Sequence, residues 1–89
     1  MGVLVEIPTR VRASFNKEEA YDFISDFIEM ERRYQGQNYS KDAMIRAYLA
    51  FLSTKFQKPV VQGMNEGVPT YYVKCENDTD AVLLKLAQF

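Results

Sequence analysis

The 89-residue chain has no histidine, no tryptophan and a single cysteine, and it holds only four glycines and three prolines. Without imidazole there is no Ser-His-Asp or Cys-His nucleophile system, no H-E-x-x-H zinc site and no ring nitrogen titrating near neutrality. Lone Cys75 has no partner for an internal disulfide and no second thiol for a Cys-x-x-Cys metal half-site. A solitary thiol suits a reducing compartment. No stretch nears the roughly 20 apolar residues that span a bilayer, and residues 1 to 9 hold no basic leader segment. These absences lead us to expect a cytoplasmic, non-enzymatic protein with no cofactor, no metal and no membrane partner.

What is present is a folding chain. At 47% hydrophobic and 26% charged, with little Gly or Pro, it falls outside disordered and low-complexity compositions, and its length supports one core. A single domain over residues 1–89 is expected. The net charge of -1 hides strong blocks. Residues 16–31 hold six acidic groups against one basic, and residues 32–60 hold six basic against one acidic.

In the second half of residues 3–15, Val11, Ala13 and Phe15 alternate with Arg10, Arg12 and Ser14, the period of a half-buried strand with a cationic outer face. Pro8 cannot donate to a ladder, so this strand is expected at an edge or after that residue. Asn16 is a good helix cap with Glu19 three residues on. Ala20, Phe23, Ile24, Phe27, Ile28 and Tyr34 then share one side of a helical wheel, and Glu18, Asp22, Asp26 and Glu29 share the other. Glu29 is placed to pair with Arg33. Glu31 projects onto the apolar side, so it either snorkels out or meets a base such as Arg46.

Gly36 is expected to stop that helix and Ser40 to cap the next. Met44, Ile45, Ala47, Tyr48, Leu49, Phe51, Leu52 and Phe56 nearly encircle the second helix, so it needs cover on more than one side. Its own sheet or a second copy of the chain, in a homodimer through helix 41–56, would supply the second cover. Beyond Pro59, Val60-Val61-Gln62 and Thr70–Cys75 read as a hairpin around a Gly63–Gly67 loop. Residues 80–89 serve a strand, through Val82, Leu84 and Leu86, or a short helix, through Leu83 and Leu86, and we favour the strand. The expected class is α+β, in the order β-α-α-β-β with a C-terminal strand or short helix, the helices packed on an antiparallel sheet.

Three features stand out for function. The carboxylates Glu18, Asp22, Asp26 and Glu29 form a row about one helical turn apart, able to meet a basic groove on a protein partner. An exposed helix face offers no cleft to split two carboxyl pKa values, so it does not suggest hydrolysis. Neighbouring Tyr71 and Tyr72 face opposite ways on a strand, and the outward one is an aromatic anchor. Arg10, Arg12 and Ser14 protect a strand edge or contact a nucleic-acid groove.

The alternating arginines, the capped helix and a second helix opening Tyr39-Ser40-Lys41-Asp42-Ala43-Met44-Ile45-Arg46-Ala47 resemble ribbon-helix-helix DNA-binding proteins over residues 9–56. That resemblance implies a dimer whose paired strands enter the major groove. Arg10, Arg12 and Ser14 would then read bases, Ser40 and Lys41 would hold the DNA backbone, and the second helix would form the dimer core. The closing Asp80-Ala81-Val82-Leu83-Leu84-Lys85-Leu86 is similar to the ends of short accessory proteins of tailed phages, which implies binding and blocking of host machinery. The leading expectation is therefore an interaction protein that blocks a macromolecular partner, with a DNA-binding regulator as the alternative.

Overall fold

The computed structural model describes residues 2–35 and 41–89, leaving aside the side chains of residues 34 and 35. The order is β1 (Val3–Glu6), α1 (Thr9–Ala13), α2 (Lys17–Gln35), α3 (Lys41–Phe56), β2 (Val60–Asn65), β3 (Val68–Cys75) and α4 (Asp78–Gln88). The strands form one antiparallel sheet in the order β1-β3-β2, with Val5 and Val60 both opposite Val73. The class is α+β.

The alternation over Val11–Phe15 does not make a strand. β1 ends at Glu6, the Ile7 amide donates the last ladder bond to the Tyr71 carbonyl at 2.8 Å, and Thr9–Ala13 close into a helical turn begun at the Pro8 carbonyl. Pro8 has no amide with which to continue a ladder. Val11 and Phe15 are four residues apart, a spacing that serves one helix face as well as one strand face. Ala13, which a strand would have turned inward, is exposed.

α2 starts as its sequence implies. The Asn16 side chain accepts from the Glu18 and Glu19 amides at 2.8 and 3.2 Å. The Glu19 carboxylate does not return to the cap but pairs with Lys55 on α3. The Gly36 stop and the Ser40 cap lie outside the described residues. α3 ends where Gln57 takes a left-handed conformation, with φ of 56°, just before Pro59, which cannot extend a helix.

The hairpin turn is tighter than the glycine spacing suggested. Gly63, Met64 and Asn65 belong to β2, and only Glu66 and Gly67 form the turn, both with positive φ, 53° and 78°. That is the two-residue geometry whose twist matches the flanking strands. Gly63 has a different use: the Tyr72 ring lies across it from the neighbouring strand, 2.9 Å from where a Cβ would stand, so a larger residue there would push the ring aside.

The C-terminal segment is a helix and not the strand we favoured. The Asn77 side chain accepts from the Asp80 amide at 2.8 Å and starts α4, turning Ala81 and Leu84 into the core. Val82, Leu83 and Leu86 are left exposed. This apolar distribution on both sides is why the period was ambiguous.

All described helices that reach the sheet lie on one face. Val5 and Ile7, with Val60, Val73 and Cys75, meet Val11, Phe51, Leu52, Phe56, Ala81 and Leu84 in one cluster. Leu52 and Val73 are completely enclosed. The opposite face shows Leu4, Glu6 and Lys74 to solvent. The sheet thus covers the C-terminal half of α3 within a single chain, and α2 covers another side. α2 itself packs chiefly on α3, and each of its inward residues Ala20, Phe23, Ile24, Phe27 and Ile28 is only half-buried. The molecule is elongated, 41 × 26 × 25 Å.

Candidate interaction surface

The acidic row occupies the side of α2 that points away from α3. At 3.6 residues per turn, Glu18, Glu29, Asp22 and Asp26 fall within an arc of about 80°, and all four are exposed. Glu29 is tied to Arg33 one turn on, at 3.2 Å. Glu18, Asp22 and Asp26 make no ion pair among the described residues. Tyr21 borders the row on one side at 69% exposed, and Met30 on the other at 56%. Negative charge flanked by an aromatic and a flexible thioether is a composition suited to protein contact.

The other two acids of the block, half-buried Glu31 and exposed Glu19, are paired with bases of α3. Arg46 of α3 grips Glu31 with two hydrogen bonds, Nε to Oε1 at 3.1 Å and Nη2 to Oε2 at 2.8 Å. These bonds hold the Glu31 carboxyl below its ordinary value, with burial opposing and the Arg46 charge assisting. Lys55 of α3 makes a single contact, to one carboxylate oxygen of Glu19. Two members of the basic block therefore tie α3 to α2, while Glu18, Asp22 and Asp26 make no ion pair among the described residues.

Arg10, Arg12 and Ser14 do not line one face. Arg10 and Arg12 are two residues apart on the α1 turn, so they diverge by about 200°, and Arg10 is exposed whereas Arg12 is half-buried. Arg12 lies over the Tyr71 ring, 4.7 Å from its centroid, and donates from Nη1 to the Tyr48 hydroxyl at 3.4 Å. Ser14 closes α1 by donating to the Val11 carbonyl at 2.6 Å. Lys41 opens α3 at an exposed position, and Ser40 lies outside the described residues.

The tyrosines do point oppositely, but neither is a bare platform. Tyr71 faces the helices, edge-on to Tyr48 at 5.1 Å, and burial, followed by the Tyr48 neighbour, raises its phenol above the ordinary value against the opposing Arg12 charge. Tyr72 faces outward and spends its ring covering Gly63.

With residues 9–13 helical, one further concavity forms beside α1. Arg12, Phe15, Lys17, Ala20, Tyr21, Ile24, Tyr48 and Phe51 line a recess of about 270 Å³ between α1, α2 and α3. The signal lay in the i, i+4 pair Val11 and Phe15, read with Pro8 as a helical turn. Two larger depressions, about 550 and 390 Å³, are lined among the described residues by α2 side chains between Ser25 and Arg33. They are open notches between mostly exposed side chains. No cluster of three or more Cys, Asp or Glu placed to hold a metal occurs among the described residues, and no described helix is long and apolar enough to cross a membrane. Comparison with known protein families, curated proteins and solved structures finds no match to this chain.

Proposed function

We propose that the protein is a non-enzymatic interaction module that binds and blocks a macromolecular partner, most directly another protein with a basic groove, through the outer face of α2. The observation that carries this reading is the unpaired carboxylate row Glu18, Asp22 and Asp26, bordered by exposed Tyr21 and Met30. Electrostatic complementarity of this kind speeds encounter and sets orientation, and the flanking apolar groups supply buried contact. DNA is the competing partner. Its support is Arg10 and Lys41, since Arg12 is engaged with Tyr48 and Tyr71.

The test begins with affinity capture on the immobilised protein, followed by affinity measurement with the purified captured component. Replacing Glu18, Asp22 and Asp26 by Lys alters exposed positions, so circular dichroism should show the fold intact. We expect the variant to lose affinity by at least about a hundredfold, in line with reversal of several complementary charges, and wild-type association to slow as salt is added. An unchanged affinity in the folded variant would refute the reading. Salt-dependent binding to duplex DNA that Arg10→Glu abolishes would favour the alternative.

A further inference from the structure

The recess between α1, α2 and α3 shares Tyr21 with the border of the acidic face but is lined by the opposite charge. Phe15, Ile24, Tyr48 and Phe51 give it an apolar interior, Arg12 and Lys17 stand in its lining, and no carboxylate does. Phe15 meets Phe51 edge-on at 6.0 Å, which fixes the ring walls.

Arg12 is the residue that needs explaining. It is half-buried, it makes no ion pair among the described residues, and its Nε is buried with no hydrogen-bond acceptor. The Tyr71 ring and Tyr48 hydroxyl offset part of the cost of withdrawing this cation from water, but neither supplies a counter-charge. Arg12 also lines a second depression of about 310 Å³, whose lining includes Glu6 and Glu66, carboxylates that disfavour an anion there. The helix-side recess is the place where a negative group meets Arg12 and Lys17 without a competing carboxylate.

We infer that this recess binds a small carboxylate with a flat or branched apolar body, the carboxylate facing Arg12 and Lys17 and the body lying among Phe15, Ile24, Tyr48 and Phe51. Size limits the ligand. At about 270 Å³ the recess falls just below the roughly 300–1,000 Å³ typical of drug-sized sites, which suits one fused ring pair or a short acyl chain. Charge-assisted hydrogen bonds from a guanidinium to a carboxylate are among the stronger polar contacts. They should therefore set the preference between charged and neutral ligands of one shape.

The test uses naphthoate, with naphthylmethanol and naphthylmethylamine as neutral and cationic partners of similar shape, followed by calorimetry and by amide shifts in nuclear magnetic resonance. We expect saturable one-site binding of naphthoate, at least about tenfold tighter than the alcohol, with shifts at Phe15, Ala20, Ile24 and Tyr48. Ala20→Phe should fill the recess and abolish binding. Lys17→Gln, at an exposed helix start, should weaken it severalfold while leaving the melting temperature unchanged. Arg12→Gln should remove the preference for naphthoate over the alcohol. Failure of naphthoate to saturate, equal affinity for the alcohol, or full binding by folded Ala20→Phe would overturn the inference. So would tighter binding of a peptide ending in a phenylalanine carboxylate, which would assign the recess to a protein terminus. Reversing Glu18, Asp22 and Asp26 should leave naphthoate binding intact, so this result and that for the acidic face fail separately.

Discussion

Glu31 shows how a single side chain can be placed by its sequence and still need a partner to be explained. Its wheel position is on the apolar side of α2, and Arg46 reaches from α3 to neutralise it through two hydrogen bonds of 3.1 and 2.8 Å. Because these lower the carboxyl from its ordinary value, the native state favours the ionised form. The resulting stabilisation is full above the unfolded carboxyl value and is lost as pH falls through the lower folded one. Carbon-detected nuclear magnetic resonance should find Glu31 titrating below a glutamate in an unstructured peptide, and Arg46→Gln should return it toward that value. Identical Glu31 titration in the two proteins would show that the pair does not form in solution. Arg12 is the contrasting case. Its period-2 neighbours placed it on an outer strand face, and no pattern of polarity indicates a half-buried cation lying over Tyr71.

At the scale of elements, legibility followed how many patterns a segment could satisfy. α2 has one cap, Asn16, and one apolar side, so only a helix fits. The β2–β3 hairpin was readable from its β-branched and aromatic runs, although Gly63 was taken for a loop residue because its partner, the Tyr72 ring, is fixed only by strand register. The segment after Pro8 is helical where a strand is expected, because Val11 and Phe15 meet the periods of both strand and helix. α4 was open for a related reason: Val82, Leu83 and Leu86 are apolar but exposed, so hydrophobicity there does not report burial. What decides α4 is its cap. Asn77→Ala should therefore cost about 1 kcal/mol in urea unfolding, and Asn77→Ser should recover most of it. An Ala variant as stable as the parent would mean that packing of Ala81 and Leu84 alone sets the helix.

For the whole molecule, the blocky charge of the chain becomes a sorted one. Bases at Arg46 and Lys55 pair with Glu31 and Glu19, Arg33 takes Glu29, and among the described residues Glu18, Asp22 and Asp26 on α2 make no ion pair. Because α2 rests chiefly on α3, this charge is displayed at the side of an elongated body, away from the sheet. On the function proposed above, this surface is the one that meets the partner. The most direct measurement is a map of amide shifts in the isotope-labelled protein as the purified captured partner is added. The account predicts that perturbations concentrate at Glu18, Tyr21, Asp22, Ser25, Asp26 and Met30. A map centred on Leu4, Tyr72 and Lys74 of the open sheet face, or on Val82 and Leu86 of α4, with α2 unchanged, would contradict it.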